Sequence, residues 1–251
     1  MRKEKTMRTF IWFVYFWGYM LIHLPAMNRG LRALKKGDFA AADAIAYEHV
    51  PHWCLKLLKL AGVEVTVYGK ENIPQDRPCV FAANHRSLYD IPLMLTQLGK
   101  PIPLISKIES NKVPLVRRWM ELLHCLFLDR SNPRQGMEII NQAAELVKQG
   151  YSVGIFPEGT RYKGEEGGMG TFLGGAFRIA GKSGAPIVPV VLYNTRACLE
   201  GDGHFTMKPA RVAVRILPAV ETAGMSRLEL KALPQQVEDL MRKALAEGPE
   251  A

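Results

Sequence analysis

Residues 81–90, Phe-Ala-Ala-Asn-His-Arg-Ser-Leu-Tyr-Asp, join an apolar run to a helical pattern. The apolar residues at 79–83 predict a buried strand, and the spacing of apolar residues from Leu88 to residue 98 predicts a helix. His85 would then lie where a strand ends and a helix begins, which is where open α/β sheets place their sites. Asp90, in the first turn of that helix, is placed to reach back to one imidazole nitrogen. We therefore expect His85 to be a general base that Asp90 orients.

The same stretch also allows a purely structural interpretation. Ser87 and Asp90 fit a helix capping box with Ser87 as the N-cap residue, and an Asn-His pair at a strand end can be a simple turn. The chain contains no Gly-x-Ser-x-Gly motif, which surrounds the nucleophilic serine of α/β-hydrolases. If His85 is a base, it must act on a hydroxyl group that the substrate brings.

The composition indicates a globular protein with an anionic partner. A chain of 251 residues with 48% hydrophobic residues suits one α/β domain with an appendage and excludes a disordered chain. Its 33 basic and 24 acidic residues give a net charge of +9, which favours nucleic acid, an anionic membrane face or a phosphorylated substrate. The four cysteines lack the paired spacing of a metal site, so we expect free thiols in a reducing compartment and no metal.

The N-terminal region is apolar and aromatic. Residues 9–28 contain no Lys, Arg, Asp or Glu but seven Phe, Trp and Tyr residues, and a basic start precedes them. Twenty helical residues span roughly 30 Å, close to the hydrocarbon thickness of a bilayer, although Trp and Tyr prefer the interface. A buried core helix and a cleaved signal peptide are alternatives, but no small-x-small cleavage site follows. We expect a membrane anchor that either spans the bilayer or lies in the interface.

From residue 63 onward, strand and helix patterns alternate. This alternation predicts an α/β fold with a mostly parallel central sheet of about seven strands flanked by helices. The predicted strands cover residues 63–68, 79–83, 102–106, 125–129, 152–156, 187–193 and 212–217. The predicted helices cover residues 91–98, 115–123, 134–148 and 172–182, with a docking helix at 234–246.

The region before residue 63 predicts a second helix. Residues 40–60 fit one long helix, interrupted or bent at Pro51, with a basic, amphipathic second half that we expect to contact the membrane. We therefore divide the chain into N-terminal membrane-binding helices at residues 1–62 and an α/β domain at residues 63–251.

Charged residues follow four of the predicted strands. Residues 156–161 read Phe-Pro-Glu-Gly-Thr-Arg, where the glycine lets the backbone turn and Arg161 offers a planar fork suited to phosphate. A glycine-rich loop at residues 164–175 follows, either as a phosphate-approaching helix start or as a mobile lid. Lys107 and Arg130 end two further strands. Each alone would be an ordinary surface residue, but the carboxyl ends of parallel strands meet at one rim, so we expect these groups to converge with the histidine.

Four blocks in this order make the chain resemble the glycerolipid acyltransferases, most of all the bacterial 1-acylglycerol-3-phosphate acyltransferases. The blocks are Asn84-His85-x4-Asp90, Asp129-Arg130, the run at residues 156–161, and the Ala-Pro-Ile-Val-Pro-Val run at residues 185–190. The resemblance covers about residues 63–220, and the aromatic N-terminus resembles the membrane-binding helices of the family.

Two positions depart from the family pattern. Tyr162 stands where many members have Ser, and Leu173 stands where the family often has Lys. The second departure argues against an anion-binding role at that position.

The resemblance implies a mechanism. His85 would take the proton from the free hydroxyl of a lysophospholipid, Asp90 would orient the imidazole, and the hydroxyl would attack an acyl thioester without an acyl-enzyme. Lys107, or a backbone amide near it, would stabilise the oxyanion. The remaining residues would bind the phosphate of the acceptor: Arg130, Glu158, Gly159, Thr160 and Arg161.

These roles predict an enzyme that moves an acyl group from acyl-coenzyme A or acyl carrier protein to the sn-2 hydroxyl of lysophosphatidic acid, giving phosphatidic acid. No cofactor is expected, and the partners are the lysophospholipid, the acyl donor and an anionic membrane. The alternatives are an acyltransferase for another lysolipid, such as a lyso-aminolipid or lysophosphatidylglycerol, and a non-catalytic protein that holds anionic lipid. Nucleic acid is not an expected partner, because the positive charge is scattered. The expected location is the cytoplasmic face of a bacterial inner membrane.

Overall fold

A computed structural model of the protein describes residues 2–200 and 206–250, with side chains from Thr6 onward. The side chains of residues 2–5, which carry most of the basic start, lie outside the described part. The helices are α1 Arg2–Ile22, α2 Leu24–Lys35, α3 Phe39–Ala61, α4 Asp90–Gln97, α5 Pro114–Leu122, α6 Pro133–Lys148, α7 Gly175–Ser183 and α8 Arg227–Glu247. The strands are β1 Val63–Tyr68, β2 Val80–Ala83, β3 Ile105–Lys107, β4 Leu126–Leu128, β5 Val153–Ile155, β6 Ile187–Tyr193 and β7 Ala210–Ile216.

The seven strands found in the described residues overlap the seven predicted ones. They form two sheets, whereas the sequence predicted one. A five-stranded sheet has the order β1-β7-β6-β2-β5, and β3 pairs with β4 in a second sheet. All neighbouring strands are parallel except β6 and β7. The two sheets meet at one parallel bridge, between Leu104 and Gly154. The single predicted sheet is therefore wrong, because β5 ends at Ile155 and leaves little backbone to pair with β3.

Helices cover both faces of the five-stranded sheet. Side chains alternate along β2, so Phe81 and Ala83 face one core while Val80 and Ala82 face the other. The first core takes the buried residues of α1 to α5, and the second takes those of α6 to α8. The prediction of an α/β fold with a mostly parallel sheet between helices is confirmed.

The apolar N-terminal segment is divided between α1 and α2, which are bent by 53° relative to each other. In the described residues no single helix is long and apolar enough to cross a bilayer, although the bent pair Thr6–Ile22 and Leu24–Lys35 meets the requirement by length and composition. α1 packs on α3, where the indole nitrogen of Trp12 donates to the carbonyl oxygen of Leu57 at 3.2 Å. The predicted division of the chain after residue 62 stays a prediction.

Two predicted helices differ from those found. α3 runs through Pro51 without interruption. α8 begins at Arg227 and contains Pro234, whereas the sequence suggested that Pro234 starts it. The earlier start follows from a capping box, in which the Ser226 hydroxyl accepts the Glu229 N–H at 3.3 Å and the Glu229 carboxylate accepts the Ser226 N–H at 2.6 Å.

Asn84 ties the end of β2 to β6. Its amide nitrogen donates to the carbonyl oxygen of Leu192 at 3.0 Å, and its amide oxygen accepts the Leu192 N–H at 2.7 Å. The side chain is completely buried, so it extends the strand pairing by one step and fixes the direction in which His85 leaves the sheet.

We predict that Asn84→Ala lowers the free energy of unfolding by about 2–4 kcal/mol, because it leaves a buried N–H and a buried C=O of Leu192 without partners. Asn132→Ala is the matched control. It removes the cap of α6, which accepts the Gln135 N–H at 3.1 Å on the surface, and should cost about 1 kcal/mol. Denaturant unfolding measures both, and equal losses would contradict the role of Asn84.

Candidate active site

His85 and Asp90 form a hydrogen-bonded pair at the carboxyl end of β2. Nδ1 of His85 lies 2.7 Å from Oδ2 of Asp90. Asp90 is completely buried, whereas the imidazole keeps 15% of its surface exposed. The ring of Phe156 stacks on the imidazole, with centroids 4.1 Å apart and planes 18° apart. Among the described residues, no group hydrogen-bonds to Nε2 of His85, so this nitrogen is available to a substrate.

Asp90 is itself held by the backbone that precedes α4. Its Oδ2 accepts the N–H groups of Arg86 at 2.7 Å and Ser87 at 2.8 Å in addition to the imidazole. The capping box considered for this stretch forms in part, because the Asp90 carboxylate accepts the Ser87 N–H, but the Ser87 hydroxyl accepts the Tyr89 N–H at 3.1 Å and not the Asp90 N–H. The regular part of α4 begins at Asp90, and its carboxylate fixes the turn and the imidazole together.

The Glu158 carboxylate binds backbone N–H groups of two loops of the site. Its Oε1 accepts the backbone N–H of His85 at 2.7 Å, and its Oε2 accepts the N–H of Gly170 at 2.6 Å. Burial raises the pKa of Glu158 above its ordinary value, although both amide hydrogen bonds favour the ionised form. Both oxygens therefore accept backbone N–H groups of the protein, and the phosphate-binding role that the sequence suggested for this carboxylate stays a prediction.

Arg86 organises the glycine-rich loop, a role that the sequence did not reveal. Its guanidinium is buried and donates to the carbonyl oxygens of Gly164 at 3.1 Å, Glu165 at 2.8 Å and Gly168 at 2.6 Å. It also lies over the ring of Tyr162, 5.3 Å from the centroid. In the sequence, this arginine next to His85 looks like a surface residue, because the carbonyl groups that it binds are about eighty residues further along the chain.

The remaining predicted phosphate ligands lie around the turn at residues 156–161. Gly159 has a φ of +71°, and a Cβ at this position would meet the Arg130 guanidinium at 3.9 Å. The turn therefore brings Arg130 of the β4 end to the loop after β5. Thr160 and Arg161 are exposed on the same loop, and Arg161 is paired with Glu200 at 2.7 Å.

Lys107 lies at the end of β3, but its ammonium group is engaged elsewhere. Nζ of Lys107 pairs with Glu109 at 2.7 Å, and both side chains are about half exposed. In the described part of the chain, no hydrogen bond or ion pair joins Lys107 to the other predicted site residues.

Among the described residues, neither the Ser87 hydroxyl nor a cysteine thiol is placed to act as a nucleophile that His85 could activate. The Ser87 hydroxyl donates to Glu200 at 2.6 Å and accepts the Tyr89 N–H at 3.1 Å, so it does not face His85. All four cysteines are buried and free. Burial raises the pKa of Cys79 to about 11 and that of Cys54, Cys125 and Cys198 to about 12, which removes them as nucleophiles near neutral pH. The arrangement can therefore deprotonate a group that belongs to the substrate.

The sequence around these residues matches a known protein family. The sequence pattern of the Acyltransferase family matches residues 64–193, about half of the chain, and this range contains His85, Asp90 and the turn at residues 156–161. The chain belongs to the Acyltransferase family.

Individual relatives agree on one class of acyltransferase. The chain is 42% identical over 130 residues to the chloroplastic 1-acyl-sn-glycerol-3-phosphate acyltransferase BAT2 of Brassica napus, a match that spans 51% of this chain and only 37% of that protein. It is 31% identical to the 1-acyl-sn-glycerol-3-phosphate acyltransferase of Pseudomonas aeruginosa, over 79% of this chain and 77% of that protein. The crystal structure of PlsC from Thermotoga maritima, a 1-acyl-sn-glycerophosphate acyltransferase, is similar with a TM-score of 0.75 and 28% identity over 97% of both chains. The family resemblance in the sequence is thereby confirmed.

We predict that Arg86→Lys loosens the glycine-rich loop, because a single ammonium group cannot reproduce a planar fork that binds three carbonyl groups. Amide hydrogen exchange at residues 164–168 should rise about tenfold or more. Arg196→Lys is the matched control, since Arg196 also binds this loop, through Lys163 at 2.9 Å, but from the surface. Equal exchange rates in wild type and Arg86→Lys would show that the loop does not depend on Arg86.

Proposed function

We propose that this protein transfers an acyl group from an acyl thioester to the sn-2 hydroxyl of lysophosphatidic acid, giving phosphatidic acid. The observation that carries the proposal is the pair of His85 and Asp90 at 2.7 Å, with Nε2 of the imidazole open toward a substrate. The names of the two relatives and of the solved structure support the acceptor, since each is an acyltransferase for 1-acyl-sn-glycerol-3-phosphate.

His85 acts as the base through Nε2. Because Nδ1 carries the proton that is donated to Asp90, Nε2 carries the lone pair that accepts a proton. The sn-2 hydroxyl gives its proton to Nε2 while its oxygen bonds to the thioester carbonyl carbon. When the tetrahedral intermediate collapses, the carbon–sulfur bond breaks and the imidazolium returns the proton to the leaving thiolate. Asp90 stabilises the imidazolium in between, and no acyl-enzyme forms.

The phosphate of the acceptor binds beside the turn at residues 156–161. Arg130 and Arg161 supply planar donor groups from two neighbouring loops, and the turn at Gly159 and Thr160 lies between them. Lys107 is the proposed oxyanion donor. Its ion pair with Glu109 is exposed and therefore weak, so that a substrate oxyanion competes with the carboxylate for the ammonium group.

The acyl donor is a thioester of coenzyme A or of acyl carrier protein, and no further cofactor takes part. Both statements rest on the mechanism alone, which needs a leaving thiolate and no redox or metal chemistry.

The outward face of α1 is the proposed membrane contact. Its exposed apolar residues repeat at helical spacing, and they are Met7, Phe10, Ile11, Val14, Trp17, Leu21 and Ile22. Beside them, α3 exposes Leu55 together with Lys56 and Lys59, a combination that suits an anionic lipid surface.

Helix α1, which carries this face, packs with its buried side against the turn that precedes α4. The ring of Trp12 on α1 lies 6.4 Å from the ring of Tyr89, the residue before Asp90. A lysolipid can therefore present its hydroxyl to His85 while its chain stays in the bilayer.

The four free, buried cysteines fit a reducing compartment, which supports the cytoplasmic face of the membrane.

Purified wild-type protein should release thiol and form phosphatidic acid from lysophosphatidic acid and a long-chain acyl thioester. His85→Ala should lower kcat by about a thousandfold, within the range for loss of a general base. His124→Ala is the matched control, because His124 also pairs with an aspartate, Asp43, at 2.7 Å but on another part of the molecule. Substantial activity in His85→Ala, or equal loss in both variants, would contradict the mechanism.

We predict that Phe10→Glu or Val14→Glu lowers the affinity for vesicles of phosphatidylglycerol and phosphatidylethanolamine about tenfold or more, because each places a charge where apolar surface would enter the lipid. Leu228→Glu is the control, since Leu228 is 77% exposed but lies on α8. Vesicle flotation measures binding, and unchanged flotation of the α1 variants would remove this face as the membrane contact.

A further inference from the structure

Arg161, which the proposed function assigns to the phosphate of the acceptor, is occupied by a side chain of the protein itself. Its Nη1 lies 2.7 Å from Oε1 of Glu200. The guanidinium is 41% exposed and the carboxylate 21%, so the pair lies at the mouth of the site, where a solute can reach it.

The Glu200 carboxylate has further donors at the start of α4. Its Oε1 also accepts the Leu88 N–H at 3.2 Å, and its Oε2 accepts the Ser87 hydroxyl at 2.6 Å. A guanidinium, a hydroxyl and a backbone N–H that precedes a helix thus surround one carboxylate. The same set of donors suits a phosphate group.

The neighbouring amides are already committed to a different carboxylate. The N–H groups of Arg86 and Ser87 bind Asp90, whereas the next N–H, of Leu88, binds Glu200. Asp90 is buried and serves the imidazole, but Glu200 contacts no group of the His85 and Asp90 pair in the described residues. The carboxylate of Glu200 is therefore not required to hold the base in place.

We propose that Glu200 is an internal substitute for the phosphate of the acceptor: its carboxylate occupies the anion position formed by Arg161, Ser87 and Leu88, and the incoming phosphate displaces it. The inference rests on the proposed function, since it assumes that a phosphate-bearing acceptor enters this site. It adds a residue that sets the affinity for that acceptor by competing with it.

Electrostatics gives the reason for displacement. A phosphate bound to Arg161 beside an ionised Glu200 would place like charges next to each other, which is unfavourable. A phosphate monoester carries more negative charge than a carboxylate and has three terminal oxygens instead of two, so it satisfies the same donors better.

The test compares Glu200→Gln with wild type in two measurements. The KM for lysophosphatidic acid should fall about three- to tenfold with kcat nearly unchanged, as expected when a partly exposed charged competitor is removed. Binding of inorganic phosphate, followed by 31P nuclear magnetic resonance line broadening, should tighten by a similar factor without any turnover. Glu200→Ala should change both in the same direction and guards against an effect of the new amide group.

Glu221→Gln is the control, because it breaks an exposed pair of Glu221 with Arg77 at 2.6 Å that does not involve Arg161, Ser87 or Leu88, and it should change neither quantity. A higher KM and weaker phosphate binding in Glu200→Gln would show that Glu200 holds Arg161 for the substrate, and would overturn the proposal. Unchanged values would overturn it too, since the anion would then bind elsewhere. If wild type does not acylate lysophosphatidic acid, the proposed function fails, while the phosphate measurement still decides the role of Glu200.

Discussion

The hydrogen bond between His85 and Asp90 depends on a carboxylate that is buried without a cationic partner. A buried carboxylate is costly unless hydrogen bonds replace its hydration, and here two backbone amides and the imidazole do so at Oδ2. Those amides belong to Arg86 and Ser87, the residues directly after the histidine. The turn after β2 therefore supplies the partners of Oδ2, whereas Oδ1 of Asp90 has no hydrogen-bond partner among the described residues. The orientation of the imidazole follows from the bonds at Oδ2.

A second buried carboxylate connects this turn to the rest of the rim. Glu158 accepts the His85 N–H with one oxygen and the Gly170 N–H with the other. Arg86 binds the same loop from the opposite direction, through three carbonyl groups. These hydrogen bonds therefore hold the loop after β5 against the loop after β2. This arrangement links the motif around Glu158 to the His85 motif through the backbone.

The sequence predicted the parts of the structure that local pattern controls. Apolar runs marked each strand, and the placement of His85, Arg130 and Arg161 at strand ends led to one rim because the strands that carry them are parallel. The predicted start of α8 at Pro234 is wrong, because the capping box at Ser226 starts the helix earlier. Other features depend on partners far along the chain, which local sequence spacing does not predict. These are the split of the sheet and the contacts of Arg86, Glu158 and Glu200.

The central claim is that the base acts on a hydroxyl of the acceptor and that no acyl group is held by the protein. The most direct test incubates the purified protein with a long-chain acyl thioester, first alone and then with lysophosphatidic acid, and follows the intact mass of the protein together with thiol release. We expect the mass of the protein to stay unchanged in both incubations. Thiol should be released only when the acceptor is present, in an amount equal to the phosphatidic acid that forms. An acylated protein that transfers its acyl group to the acceptor would contradict the central claim.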